Sequence, residues 1–359
     1  MSMNATSLCL RDIDFLFAPF VSRKLVLSSR LVMSPVQRFF ALDGVPTVDM
    51  LRYYCRRAAH GVGLILTEPV AVPDAVSAVD SGMACFYGGA AFRAWRRIAR
   101  LIHTTTCSIA PLLTHAGMLH RKISAAQACG PSTLPLLPGM HGSERMSHAR
   151  IEEVAEAFGR AASAARVLGF DAVCINGADA HLIEQFLRKE SNRRNDEYGG
   201  DICGRSRFAC RVVHAVRKAV GRHFPILFRF AQYSSMFGRN PLVGSPVELR
   251  ALLEPLCDAG VDIFCCVDTQ ASLPTFGGSP LNLAGWARLL TGRPVITEGA
   301  VGLPGVQIEP LVQRMRAREF DLISVGRALL ADAEWASKLR QARESDILPF
   351  TRRSWLHLY

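Results

Sequence analysis

Residues 151–168 read Ile-Glu-Glu-Val-Ala-Glu-Ala-Phe-Gly-Arg-Ala-Ala-Ser-Ala-Ala-Arg-Val-Leu; Gly169 follows, and then Phe170-Asp171-Ala172-Val173-Cys174-Ile175. Ile151, Val154, Phe158, Ala161, Ala162, Ala165 and Leu168 fall on one face at helical spacing. Ser147 stands three residues before Arg150 as an N-cap candidate, Glu152-Glu153 suits the first turn, and Gly169 stops the helix. The strand after it, 172–175, is a continuous apolar run, the pattern of a parallel strand covered on both faces. Seven more runs of this kind occur at 31–36, 62–67, 108–113, 225–229, 262–267, 294–297 and 321–325. Helical patterns lie between them, among them 205–220 and 246–259, the latter closed by Gly260. Eight such units predict an α/β fold, a (β/α)8 barrel forming one domain over 1–359. Its core is expected over about 28–345, behind an N-terminal cap segment. An open doubly wound sheet is the rival, and the missing GxGxxG turn after the first strand counts against it. The long connections 71–91 and 118–146 follow strands two and three and are expected to lie over the catalytic face.

The composition sets limits on function. Hydrophobic residues make up 49% of 359, enough for a large core, and no apolar run reaches membrane-spanning length. The net charge of +11 comes mostly from scattered arginines and reads as solvated helix faces. Arg93, Arg96, Arg97 and Arg100 share a helical face but lack interleaved aromatics, so no nucleic-acid site is expected. The 11 cysteines form no CxxC pair and no zinc pattern, no export signal opens the chain, and reduced thiols in the cytoplasm are the expectation. Cys265-Cys266 reads as a buried pair of small apolar side chains at a strand end. No metal site is expected. No lysine stands at a strand end, which argues against Schiff-base chemistry.

Several ordered motifs resemble the old yellow enzyme family of FMN oxidoreductases. They include Leu16-Phe17-Ala18-Pro19, Ser29–Pro35 (Ser-Arg-Leu-Val-Met-Ser-Pro), Gly61–Glu68, His115-Ala116-Gly117 and Asn192–Gly200. Leu281–Trp286, Gly299–Leu303 and Val325–Asp332 complete a match that spans nearly the whole chain. The resemblance implies FMN as cofactor, NAD(P)H as electron donor and a small-molecule substrate, in a protein that contacts neither nucleic acid nor membrane and could form a homo-oligomer. It implies that Gly299, Ala300, Gly326 and Arg327 hold the phosphate, where small residues admit the backbone and Arg327 supplies a bidentate donor. Arg229 is expected to support the N1/O2 edge of the flavin. Pro35, Val36, Glu68 and Pro69 would offer backbone to the ring system. Gln37 replaces the usual Thr or Cys, and Leu112 stands where the family has a Gln for the pyrimidine edge. Phe39 and His115 are expected to face substrate, with a packed structural histidine as the plainer alternative for His115.

The segment Asn176-Gly177-Ala178-Asp179-Ala180-His181 departs from the family's His-Gly-Ala-His(or Asn)-Gly-Tyr. In the family that segment holds the substrate carbonyl and donates a proton. By alignment, Asn176 and Asp179 are the expected substrate and catalytic contacts and His181 the acid or base. An ionised Asp179 only accepts hydrogen bonds and repels an enolate, whereas imidazole remains competent in proton transfer. Three readings stay open. The first is an FMN oxidoreductase with a changed substrate, either a cationic or amine-bearing molecule facing Asp179 or a desaturation with His181 as base. The second is a conventional NAD(P)H-dependent ene-reductase. The third is an inactive flavin-binding barrel with a scaffold role.

Overall fold

Parallel strands flanked by helices on one side and a closed interior on the other have no polar face, and the eight principal strands of this chain carry almost nothing but buried residues. They are β1 (Leu31–Met33), β2 (Leu64–Ala71), β3 (Ser108–Thr114), β4 (Val173–Gly177), β5 (Ile226–Ala231), β6 (Ile263–Val267), β7 (Val295–Glu298) and β8 (Leu322–Val325). In this computed structural model, which describes residues 12–121, 127–133, 142–234, 236–238 and 240–356, each strand pairs in parallel with the next and β8 pairs with β1. The result is a closed (β/α)8 barrel without a free edge. Tyr359 and parts of the 118–146 connection lie outside the described residues.

The connecting helices are α1 (Val48–Ala58), α2 (Gly89–Ile102), α3 (His148–Leu168), α4 (Leu182–Leu187), α5 (Ile202–Val220), α6 (Pro246–Ala259), α7 (Leu283–Thr291), α8 (Ile308–Arg316), α9 (Arg327–Ala331) and α10 (Trp335–Arg340). Ser147 does cap α3, accepting from the amide of Arg150, and Gly169 ends it in the left-handed conformation. Ser245 caps α6 in the same manner, with Pro246 in its first turn. The four arginines of α2 are exposed along its outer side.

Alternate strand residues point inward. Val32, Leu64, Leu66, Ala110, Leu112, Cys174, Leu227, Ile263, Cys265, Ile296 and Leu322 fill the barrel, and Phe20, Leu25 and Leu27 join them from the hairpin Phe20–Val21/Val26–Leu27. β2 breaks this alternation. It pairs with β3 from Leu64↔Ser108 to Leu66↔Ala110, then from Pro69↔Leu112 to Ala71↔Thr114, so one extra residue of β2 is taken up in between. Leu64 and Leu66 belong to the interior, whereas Val70 belongs to the outer layer beneath the helices.

Candidate active site

The strands deliver their C-terminal residues to one cavity of about 800 Å³ at the mouth of the barrel. Ser34, Pro35, Val36, Gln37 and Phe39 reach it from the segment after β1, Pro69 from β2, Arg229 from β5, Asp268 and Thr269 from beyond β6, and Glu298 from β7. Gly299, Ala300, Gly326 and Arg327 line it from the turns after β7 and β8. Val79 and Leu119, from the connections after β2 and β3, line it together with Asp179 and His181, and Trp355 comes from the C-terminal segment.

Arg229 is the central charge. Its guanidinium donates to Asp179 Oδ2 at 2.5 Å and to Glu298 Oε1 at 2.9 Å. Burial alone would lower its pKa, but the two carboxylates hold it well above the ordinary value. The second oxygen of Glu298 accepts from Ser324 Oγ at 3.2 Å. Glu298 was not among the residues singled out from the sequence. The available signal was its position, a charged residue ending an otherwise apolar barrel strand.

The 176–181 segment is held from below. Asp179 and Ala180 both have left-handed φ values, 58° and 59°. Glu184 Oε2 accepts the Ala180 amide at 2.6 Å, and Gln185 Nε2 donates to the carbonyls of Ala180 and Ala116. Glu184 is in turn paired with Arg188 at 2.8 Å, both buried. His181, 6% exposed, presents an Nε2 that has no protein partner. Its Nδ1 lies 3.3 Å from Asn176 Nδ2, from which it can accept, and 3.3 Å from the Ala178 carbonyl, to which it can donate. Either neutral tautomer is therefore accommodated. Burial lowers the His181 pKa, against the opposing pull of Asp179.

The structure does not bring all the sequence candidates to the cavity. Asn176 is buried beside Thr114, its Oδ1 accepting from the Ala178 amide, and it touches His181 rather than the cavity wall. His115 is also off the wall: it is buried, Nδ1 accepts from the Gly117 amide, and Nε2 donates to Asp74, which also pairs with Arg150. Those bonds fit the structural alternative. Leu112 packs inside the barrel below the cavity. Glu68 is buried behind Gln37; its Oε2 accepts from Gln37 Nε2 at 2.9 Å and from the amides of Arg38 and Phe39.

Burial raises the Glu68 pKa from 4.5 to about 7, against the lowering effect of those amides. The folded chain thus binds this proton more tightly than the unfolded chain, so the Glu68 contribution is fully present below 4.5 and is lost as pH rises through about 7. Stability is expected to fall over that interval by at most about 1.4 kcal/mol per pH unit. Thermal melts of wild type and Glu68→Gln across the interval check this, since the variant should lose the slope.

Residues 15–346 match the profile of the NADH:flavin oxidoreductase / NADH oxidase family. The chain belongs to this old yellow enzyme family. It is 30% identical over 325 residues to an NADPH dehydrogenase of Bacillus cytotoxicus, covering 88% of this chain and 89% of that one. It is also 30% identical over 343 residues to an NADH oxidase of Thermoanaerobacter brockii, covering 90% of this chain but only 50% of the relative, so it spans about half the length of that protein. In fold it is similar to morphinone reductase, with a TM-score of 0.81 at 22% identity over 95% of this chain and 92% of that one.

The cofactor of the family is FMN, and the free polar groups on the cavity wall suit it. Arg229 Nε and Gln37 Oε1 are buried without a partner, a state that a polar ligand relieves. At the other end Arg327 is exposed and has no carboxylate partner among the described residues. The backbone turns beside it are tight: a Cβ on Gly299 would fall 2.7 Å from the Ala271 nitrogen, and one on Gly326 would fall 3.2 Å from Ser34 Cβ. Such turns present main chain rather than side chain to a ligand. Arg327, Gly326, Gly299 and Ala300 are the candidates for a phosphate site on this cavity, and Pro35, Val36, Gln37, Pro69 and Arg229 the candidates for a ring site. Among the described residues, no helix is long and apolar enough to cross a membrane, and the one cluster with metal-ligand types, His148, Asp196 and Glu197, lies away from this cavity.

Proposed function

We infer that this protein is an FMN-dependent oxidoreductase that acts on a carbon–carbon bond next to an activating group, with His181 moving the proton. The observation that carries the reading is the unpartnered, buried Nε2 of His181 on the wall of a cavity suited to FMN. FMN, when bound, accepts or supplies the hydride, and NAD(P)H is the proposed donor in the reducing direction.

The chain's own residues do the rest. Asn176 and the Ala178 carbonyl hold Nδ1, so Nε2 can act in either direction by exchange of tautomer or by charging. Because burial favours the neutral ring, His181 near neutral pH is better suited to take a proton than to give one. That supports desaturation, with proton loss to Nε2 and hydride loss to the cofactor. Asp179 stands close enough in the chain to favour the charged ring once it forms. The second reading, NAD(P)H-dependent ene-reduction, is favoured by the NADPH dehydrogenase relative. In that direction His181 must first charge, so the rate should rise as pH falls.

The experiment is FMN reconstitution followed by anaerobic addition of NAD(P)H and of candidate substrates, with flavin absorbance as readout. A protein that stays colourless sinks the reading. Arg327→Ala should weaken FMN binding about 10- to 100-fold, the magnitude of hydrogen bonds to a charged group. Fluorescence titration measures it, and unchanged affinity would remove Arg327 from the phosphate site.

A further inference from the structure

The cavity is acidic in a basic protein. Its wall carries three carboxylates, Asp179, Asp268 and Glu298, against two guanidinium groups, Arg229 and Arg327, while the chain as a whole has a net charge of +11. Arg229 is shared by Asp179 and Glu298, so that group of three retains one excess negative charge. Asp268 is bonded only to the Thr269 amide and to the hydroxyls of Thr269 and Thr275, and it has no cationic partner among the described residues. A phosphate at Arg327 would consume the remaining cation. Any second ligand therefore meets a net negative wall.

Two further features bear on what that ligand is. His181 Nε2, on a side chain more than nine-tenths buried, is left without a partner at the cavity wall two residues from Asp179. It calls for a polar ligand group beside the carboxylate. Phe39 and Trp355, 44% and 43% exposed, are the aromatic members of the wall. Aromatic faces attract organic cations, and do so more strongly where water is excluded. An anionic substrate finds less support, since both terminal nitrogens of the Arg229 guanidinium already donate to carboxylates and only its buried Nε is left.

We propose that the substrate of this site is an organic ammonium compound, its charge held by Asp179 with Glu298 and Asp268 behind it and its alkyl groups against Phe39 and Trp355. The inference rests on the redox reading above for the word substrate, but the charge preference does not. Selectivity comes from the carboxylates outnumbering the cations, and it is expected to weaken with added salt.

The test is a calorimetric titration of the FMN-reconstituted protein with three molecules of matched shape: choline, its uncharged carbon analogue 3,3-dimethylbutan-1-ol, and the anion 3,3-dimethylbutanoate. Choline should bind at least tenfold tighter than the alcohol, and the anion weaker than either. Asp179→Asn should shrink the choline-to-alcohol ratio at least fivefold. It should also improve binding of the anion, because one nitrogen of Arg229 is released. Asparagine tolerates the left-handed φ of 58° at this position, so the backbone is preserved. Glu298→Gln is the second variant and should act in the same direction. Equal or tighter binding of the anion overturns the proposal, as does absence of choline binding or a ratio unchanged in both variants. A protein that takes up no FMN can be titrated without it. A cation preference would then survive while the redox reading fell.

Discussion

The His181→Phe protein is expected to take up FMN normally and to lose about 10²- to 10⁴-fold in the half-reaction with substrate, the range for removing a positioned general acid or base. The ring fills the same space but carries no proton. Asn176 and the Ala178 carbonyl lose one partner each, whereas the contacts proposed to hold FMN are made by other residues. Anaerobic rapid mixing separates the two halves: reduction by NAD(P)H should be unaffected, and the step with substrate should slow. The pH dependence carries the same signature. Burial lowers the His181 pKa, so the direction that needs the neutral base should reach its plateau above a midpoint lying below 6.5. The direction that needs the charged acid should decline through the same midpoint. Wild-type rates in the phenylalanine variant would leave His181 as a wall residue only.

The largest expected effect on stability comes from Arg188→Met. Arg188 and Glu184 are 1% and 0% exposed, and Arg188 also donates to the carbonyls of Ala231, Gln232 and Asn240. Removing the cation leaves Glu184 buried and charged, or forces it to take up a proton; burial already raises its pKa despite Arg188. Breaking a buried pair in this way costs about 3–5 kcal/mol. The loss should appear as a lower denaturant midpoint. Pairing it with Glu184→Gln should recover part of that loss, because the uncompensated charge is gone. A loss under about 1 kcal/mol would mean that the pair contributes no more than an exposed one. The consequence is local as well as global, since Glu184 also holds the Ala180 amide and with it the left-handed turn that carries Asp179.

The barrel was legible because its strands are buried on both faces, so hydrophobicity alone marks them. Their ends were less so. The run 31–36 yields a strand of only Leu31–Met33, because Pro35 has no amide to give and the chain turns across the mouth after Ser34. β2 runs on to Ala71, past Pro69, which reads locally as a terminator. Helix α5 begins at Ile202 rather than 205; its cap is Asp201, whose side chain accepts from the amide of Gly204, and a glycine so early disguises a first turn. The site was legible wherever a side chain leaves a strand end directly into the mouth, as with Arg229. It was not legible where a partner decides the direction. Asn176 and Arg229 face each other in register on neighbouring strands, yet one lies beneath His181 and the other in the open cavity. Nothing in Asn176 itself marks that difference. Glu298 and Asp268 acquire meaning only when the closed barrel sets them beside Arg229 and the carboxylate of Asp179.

The extra residue in β2 makes the length of that strand as important as its chemistry. Inward and outward positions alternate every residue, and the insertion between Leu66 and Pro69 inverts the alternation for everything downstream. Excising a single residue there would give a smoother ladder with β3. Pro69 would still stand opposite Leu112 and Val70 opposite Leu113, so what is lost is the bulge itself, where the Thr67 hydroxyl accepts from the Leu112 amide and Glu68 sits behind Gln37. Two residues opposite one let the wall carry both a buried hydroxyl and a buried carboxylate, and a strand one residue shorter would keep its facing but have room for only one of them.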